Sequence, residues 1–392
     1  MEATQDIVIV GGGVIGSSIA YFLKASPGFS GTVIVLEKDP SYEFGSTARS
    51  WGGIRQQFST PENILISRFT QEFLGEITRY LGVDGAPVNV SYQEYGYLFL
   101  AEDCHIPQLY SNNAIQRGLG VNVGLLDSDD LACGYPWMNV SDLAGGSLGL
   151  SGEGWLDAYS LNQAFRKKAI SLGVIYKTAE AVGLERAGNK VSTVILSDGS
   201  RLATGIVVNA AGPAAATVAR WAGIDLQVRS RKRFAYSFSC RTEVSNCPLV
   251  IDPSGVHFRP EGKQFLAGCS PNPANDPDCT DFDIDYGWFE EHIWPILAHR
   301  VPAFEAIKLE NAWAGHYAYN LLDQNAVLGP HPDIPSFYFA NGFSGHGLQQ
   351  SPAVGRAIAE LITYGEYRSI DLSRFSFSRM VTGTTISEHN IV

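Results

Sequence analysis

The sequence predicts an α/β chain in two parts: one domain on a largely parallel sheet, and an α+β domain on a mixed, mainly antiparallel sheet. Three observations carry this. The first forty residues read as strand, glycine turn, helix, strand and acid. Two later buried strands, Ile206–Asn209 and Phe337–Asn341, also run into small residues and then a helical pattern. Between these units, around 91–149 and 226–328, the pattern changes to aromatic strands and turns. The parallel-sheet domain is therefore expected to be discontinuous, built from 1–90, 150–225 and 329–392, with 91–149 and 226–328 forming the second.

Asp6-Ile-Val-Ile-Val10 reads as a short buried strand, followed by Gly11-Gly12-Gly13-Val14-Ile15-Gly16 and an apolar helix through Ile19, Phe22 and Leu23. Pro27-Gly28 stops that helix, Thr32–Leu36 is the next strand, and Glu37 closes it, followed by Lys38. This is the Rossmann-like GxGxxG arrangement, in which the first glycine turns the chain, the second admits a pyrophosphate and the third lets the helix pack on the sheet. The helix N-terminus offers N–H groups and partial positive charge to phosphates. Glu37, about twenty residues after Gly16, is placed to accept hydrogen bonds from a ribose. The motif predicts a bound dinucleotide and does not by itself separate NAD from FAD.

With 392 residues, the chain exceeds one ordinary core. Hydrophobic residues make up 45% and charged residues 17%, so it is globular, and a net charge of −12 disfavours nucleic acid and anionic membranes as partners. Six cysteines without CxxC or metal-ligand spacing point to free thiols in a reduced compartment and to no metal site. Ile7–Leu23 lacks charge, but acidic Glu2 and Asp6 and four glycines exclude a signal peptide or membrane span. The sequence as given shows no Arg-rich presequence.

In order along the chain, Gly45–Phe58 is too polar and glycine-rich for a regular element, and Ser46, Arg49, Ser50 and Arg55 there can hold an anionic ligand. A helix is predicted from Pro61 to Gly82, a strand over 92–100, a polar helix over Cys104–Gly118 and a helix start at Leu126–Asp130. Ser147–Trp155 returns the chain to the first domain, and Asp157 caps a helix through Leu172. Strands at Val174–Tyr176 and Val182–Leu184 precede a hairpin of Val191–Leu196 with Arg201–Thr204. The small residues Ala210, Ala211 and Gly212 fit two readings equally: close approach of backbone to a nucleotide, or a tightly packed strand–helix joint. Val256–Arg259 and Gln264–Gly268 form a second hairpin, and the basic run Arg229–Arg233 reads as a solvated or structurally paired patch. Asn272–Thr280 is a Pro/Asp loop with no evident chemistry. A final strand enters the glycine turn Gly342–Gly347, with a helix expected from about Ser351-Pro352 to Gly365.

This layout resembles the D-amino-acid oxidase/glycine oxidase/sarcosine oxidase superfamily of FAD proteins. The residues that carry the resemblance are Gly11–Gly16 with Glu37, the Ser46–Arg55 loop, Asn209–Gly212, Trp313–Gly315 and Phe343–Gly347. Gly52–Asn63, Val301–Glu305 and Phe343–Gln350 sharpen it towards a mitochondrial branch that serves the assembly of respiratory complex I, and Asn390-Ile-Val392 fits as well. The resemblance implies FAD rather than NAD. It places Gly11, Gly12, Gly13, Val14, Ile15 and Gly16 at the pyrophosphate, and Glu37 and Lys38 at the ribose. Val182 falls near the adenine. Ser46, Arg49, Ser50, Gly53 and Ile54 fall along the flavin, with Ala211, Gly212 and Gly315 close by. Gly342, Phe343, Gly345, His346, Gly347 and Leu348 fall at the flavin carbonyl edge. Arg55, Gln349 and His346 are the residues it sets on the substrate face.

The sequence also departs from this pattern. Sarcosine oxidases attach flavin through a cysteine where Gly315 stands, and dimethylglycine-type dehydrogenases through a histidine absent from Ser50-Trp51-Gly52, so non-covalent FAD is implied. Arg55 matches the arginine that holds a substrate carboxylate, whereas Gln349 stands at the matching lysine. The pocket histidine and tyrosine of sarcosine oxidases have no counterpart read on Val256–Ser270. The functional expectations are an FAD protein of complex I assembly, with complex I subunits as partners, or an FAD-dependent amine or amino-acid dehydrogenase acting on CH–NH bonds of a small substrate.

Overall fold

The computed structural model describes residues 7–389; Asp6, expected to open the first strand, and Asn390-Ile-Val392 lie outside the described residues. The chain opens with β1 (Ile7–Val10), α1 (Val14–Ala25), β2 (Val33–Glu37) and the short β3 (Gly53–Ile54). The helix predicted over 61–82 is two, α2 (Pro61–Gly75) and α3 (Ile77–Leu81), broken at Glu76. Next come β4 (Tyr97–Ala101), α4 (Ile106–Gly118), β5 (Val123–Asp127), α5 (Ser128–Gly134), β6 (Gly145–Gly149) and β7 (Gly154–Trp155). The predicted start at Leu126–Asp130 is a capping box in which Asp127 and Asp130 bond reciprocally to each other's backbone. Asp157 caps α6 (Ala158–Ser171), accepting from Ser160 N at 3.1 Å.

The middle of the chain gives β8 (Ile175–Thr178), β9 (Ala181–Ala187), β10 (Lys190–Leu196), β11 (Arg201–Ala203), β12 (Ile206–Asn209) and α7 (Ala215–Trp221). β13 (Val228–Cys240), β14 (Leu249–Ile251), β15 (His257–Glu261) and β16 (Gln264–Gly268) follow, then helical segments at α8 (Tyr286–Trp288) and α9 (Trp294–Arg300). This helical stretch was not expected within an all-strand region; Phe289, Ile293, Leu297 and Val301 make its buried stripe. β17 (Ile307–Asn320), β18 (Val327–His331), β19 (Ile334–Asn341) and α10 (Gly347–Tyr364) complete the main elements. α10 begins at Gly347, one turn before the predicted Ser351-Pro352, so Pro352 lies inside it, and Leu348 O, which the proline cannot bond, accepts from Ser351 Oγ at 2.9 Å instead. Gly365 caps it in the left-handed conformation, as the sequence predicts.

A six-stranded sheet runs β18-β19-β12-β1-β2-β8, parallel except for β18. α1, α2, α6 and α10 cover one face, with Phe22, Phe69, Phe73 and Phe165 in mutual ring contact, while α7 and the β11-β10-β9 sheet contribute to the other. An eight-stranded sheet runs β17-β13-β16-β15-β14-β4-β6-β5, antiparallel except for β14 against β4. The basic run lies on β13 and is structurally paired. Arg233 makes a bidentate pair with Asp276, Arg229 and Arg231 face Asp278, and Lys232 meets Asp281. The 272–280 loop thus has a role the sequence did not reveal: it neutralises this strand. Register sets the functional edge. Val10 lies opposite Leu36 and Asn209, and Asn209 opposite Phe339, so Gly11, Glu37, Ala210 and Gly342 leave the sheet at its carboxyl side, where ligands bind in such sheets. Among the described residues no helix is long and apolar enough to cross a membrane.

Candidate functional site

At the first turn, Gly11 takes φ 106° and Gly16 lies in α1; a Cβ on either would collide with backbone, Ala210 O for Gly11 and Gly11 O for Gly16. These two glycines therefore serve packing. Gly11 packs against the Ala210 backbone, whereas a side chain at Gly212, two residues on, would meet open space, so the small residues after β12 combine a close backbone contact with an open position. Gly12 N donates to Glu37 Oε2 at 2.9 Å, and Asp39 N donates to Oε1 at 2.9 Å, which orients the carboxylate over the turn. Gly13 is the open position: within 4 Å a Cβ there would meet only Thr47 Oγ1, at 3.3 Å. Val14 N donates to that hydroxyl at 3.2 Å, while the N-cap residue of α1, Gly13, has no side chain to cap it. Ile15 follows in the first turn of the helix. Lys38 pairs with Glu180 at 3.7 Å, two residues before Val182, which is 45% exposed on β9.

The Ser46–Ile54 loop is strapped to its neighbours. Ser46 Oγ donates to His316 O at 2.6 Å, and Arg49 Nη1 donates to Ala314 O at 2.9 Å while its Nε donates to Glu43 O at 2.8 Å. The Arg49 guanidinium stacks 4.5 Å from the Phe282 ring centre, with Nε and Nη1 bonded to carbonyls. Gly315 makes room for this arginine; a Cβ there would sit 3.2 Å from Arg49 Cβ. Ser50 Oγ accepts from Gly52 N at 3.1 Å. Side chains at Gly52 and Gly53 would strike Leu156 O and the Tyr97 hydroxyl, and Ile54 is buried.

Arg55, Gln349 and His346 come together. Arg55 is 2% exposed; its backbone N donates to Gln349 Oε1 at 2.9 Å, its Nη1 to Gln57 O at 2.6 Å, and its Nη2 meets His346 Nε2 at 3.1 Å. A guanidinium only donates, so Nε2 accepts and the neutral imidazole carries its proton on Nδ1. Burial, then the charge of Arg55, pushes His346 down to about 3. Burial also lowers Arg55, opposed by Glu388, Tyr97 and Glu153. The guanidinium lies 4.0 Å from the Phe58 ring centre. Gln349, expected in place of a second cation, spends its side-chain oxygen on the Arg55 main chain.

Three residues the sequence did not single out complete this cluster. Glu153 is fully buried and accepts from Gln56 N (2.5 Å), Gln57 N (3.0 Å) and Gln57 Nε2 (2.8 Å). Burial raises its carboxyl despite these bonds and the charge of Arg55. It is the lone charge in a glycine-rich run, which was its signal. Tyr317 packs its ring against Gly345, whose φ is 101°. Tyr97 lies against Gly53, and both tyrosines stand in stretches read as aromatic strands. Ser344 N donates to Ala318 O at 3.0 Å and its hydroxyl accepts from Asn320 N at 3.0 Å, locking the Gly342–Gly347 turn onto β17. Phe343 and Leu348 are buried on either side of Gly347, where α10 begins with its positive end towards this turn. His257 lies inside the stretch from which no pocket histidine was read. Its ring meets Trp51 edge-on at 4.7 Å, and burial takes it to about 4.

A dinucleotide fits these residues. Gly13 has an open side, α1 and α10 begin without an N-cap side chain, and Asn341 Oδ1, at the end of β19, is buried with no partner among the described residues. The sequence profile of the DAO family, described as FAD dependent oxidoreductase, matches residues 6–361. The chain belongs to this family. It is 42% identical to the FAD-dependent oxidoreductase domain-containing protein 1 of Xenopus laevis, over 99% of this chain and 85% of that protein. Among solved structures, the L-proline dehydrogenase of P. horikoshii has a TM-score of 0.86 at 26% identity, covering 98% of this chain and all (100%) of that one. The glycine oxidase of Geobacillus kaustophilus has the same fold, with a TM-score of 0.80 at 22% identity over 96% of this chain and 99% of that one. The chain is thus an FAD-dependent oxidoreductase of the D-amino-acid oxidase type: a Rossmann-like FAD-binding part and a mixed-sheet second part.

Proposed function

We propose that this chain binds one FAD non-covalently and oxidises the CH–N bond of a small amine or amino acid, with Arg55 as the cation on the substrate side. FAD, when bound, supplies the hydride acceptor. Gly13 and the first turn of α1 would hold its pyrophosphate, Glu37 and Lys38 its ribose, and Val182 would stand near its adenine. Ser46–Ile54 and Gly342–Leu348 would flank the flavin ring. Gly315 and Ser50-Trp51-Gly52 offer neither cysteine nor histidine for attachment. The chain's own residues align the substrate: Arg55 supplies fixed positive charge, neutral His346 accepts its hydrogen bond, and Gln349 holds its main chain. One observation carries the reading: a buried arginine held at the meeting of β3 and the α10 turn, where no surface role would keep it. The names of the proline dehydrogenase and glycine oxidase relatives agree with such substrates. Anaerobic mixing with a panel of secondary amines and amino acids tests it; bleaching of the flavin is expected, and no bleaching by any member rejects it.

A second reading is a mitochondrial flavoprotein that serves assembly of respiratory complex I, with its subunits or intermediates as partners. The occupied surroundings of Arg55, whose guanidinium already meets Gln57 O and His346 Nε2, favour this reading, since a binding protein needs no vacancy there. Flavin silence in the amine panel together with retention of complex I subunits by the FAD-loaded protein would select it.

A further inference from the structure

β3 and β7 pair antiparallel, Gly53 opposite Trp155 and Ile54 opposite Gly154, and one step further along this register Arg55 faces Glu153. The ladder stops there. Arg55 N turns to Gln349 Oε1, and the next two main-chain N–H groups, of Gln56 and Gln57, both donate to Glu153 Oε1, at 2.5 and 3.0 Å. A side-chain carboxylate thus stands where a strand partner would otherwise be.

The fold makes room for Glu153 at this point. Its carbonyl accepts from Gly96 N at 2.9 Å, and Gly152 N, just before it, donates to Glu94 Oε1 at 2.7 Å. A Cβ at Gly149 would collide with the Glu153 carboxylate, and one at Gly154, whose φ is 155°, would strike Gln93 O. The second carboxylate oxygen reaches a side chain: Gln57 Nε2 donates to Oε2 at 2.8 Å and to Tyr97 O at 3.0 Å, while Gln57 Oε1 accepts from Ser147 Oγ at 2.7 Å. Gln57 is fully buried and is held through both its main chain and its side chain. Its carbonyl in turn accepts from Arg55 Nη1 at 2.6 Å. Each link from the carboxylate to the guanidinium is a hydrogen bond or the Gln57 residue itself.

We infer that Glu153 is a positioning residue: it fixes the Gln56–Gln57 main chain and, through the Gln57 carbonyl, sets the direction of the Arg55 guanidinium and so its grip on a substrate carboxylate. This rests on the reading of Arg55 as the substrate-side cation. A glutamine of the same size cannot do this. One amide oxygen could still serve the two main-chain N–H groups, but an NH2 would then face Gln57 Nε2, donor against donor.

The test uses the full FAD-loaded chain and flavin difference spectra. Acetate is titrated as the carboxylate, and trimethylammonium as a cation of similar size without one. Glu153→Gln should weaken acetate binding about tenfold, the worth of one charge-assisted hydrogen bond, and leave trimethylammonium binding unchanged. Ser147→Ala keeps the carboxylate but frees the far end of the Gln57 side chain, and should weaken acetate about threefold. A merely structural role would weaken both ligands together. Equal losses for the two ligands, or parent-like acetate affinity in Glu153→Gln, overturn the inference; where that variant fails to retain FAD, parent-like acetate affinity in Ser147→Ala does so. Arg55→Ala separates this inference from the reading beneath it. No acetate binding by the parent, or binding that Arg55→Ala leaves as tight, rejects Arg55 as the cation and the inference with it. Acetate binding that needs Arg55 and not Glu153 rejects the inference alone.

Discussion

Lowering the pH should weaken this protein in a window set by two histidines. His346 and His257 are held neutral, at about 3 and about 4 against an ordinary value near 6.5. The unfolded chain therefore binds protons that the folded chain refuses. The stability these rings contribute is present above pH 6.5 and is lost as pH falls towards 3–4. At pH 5 the full shift would cost about 2 kcal/mol per ring, from roughly 1.5 units at 1.36 kcal/mol each. Both residues keep partial solvent exposure, which screens the effect, so about 1 kcal/mol apiece is expected. His346→Gln and His257→Gln keep an acceptor or donor of similar reach but cannot titrate. Thermal midpoints of the FAD-loaded parent and variants at pH 7.5 and 5.0 isolate the effect, because groups such as Glu153, raised in the opposite sense, contribute equally to both proteins. Asp142, lowered to about 2 beside Arg300, enters only below pH 4. Each variant should lose about 1 kcal/mol less than the parent between the two pH values. Identical losses in parent and His346→Gln would show that this ring titrates freely in the folded state.

Gly13→Val should abolish the yellow colour while far-ultraviolet circular dichroism stays near that of the parent, since the added side chain fills the one open position of the turn; a variant carrying stoichiometric FAD would remove the phosphate assignment. Glu153→Ala leaves three buried N–H donors without an acceptor and takes away a charge facing Arg55, so chemical denaturation should register a loss of about 3 kcal/mol, and a loss below about 1 would show that the network re-forms. Acid precipitation should release the flavin to the supernatant; colour in the washed pellet would mean a covalent bond. Photoreduced protein should reoxidise slowly in air, because β16 carries no lysine and Lys263 is exposed in the turn before it; oxidase-like reoxidation would contradict this.

Much of the parallel-sheet part was legible because its signals are local. β1, the glycine turn, α1, β2 and Glu37 lie within one short stretch, and each glycine there has a nearby steric reason. The Asp157 cap, the β10–β11 hairpin and the Gly365 stop are equally local. The helical stretch 286–300 was missed because its apolar residues stand amid acidic and aromatic ones that read as turns. The start of α10 was placed late because Pro352 suggests a first turn, whereas His346 and Gly347 begin the helix without a side-chain cap.

What the sequence could not reveal is which partners the site residues find across the chain. Arg55 looks like a free carboxylate ligand when only its neighbours in sequence are known. Folded, it meets residues drawn from 57, 58, 346 and 349, and it is balanced by carboxylates at 153 and 388. No periodicity connects positions three hundred residues apart. The same holds for Gly315, which reads as the blank left by a lost cysteine and proves to be the space into which Arg49 packs. A buried cation has to be balanced close by, because solvent cannot do it. Once Arg55 is known to be buried, carboxylates within reach are required, and the only remaining question is which ones. Glu153 meets that requirement by local geometry: it is fully buried and accepts from Gln56 N, Gln57 N and Gln57 Nε2, so the segment that directly follows Arg55 in sequence carries the carboxylate to it.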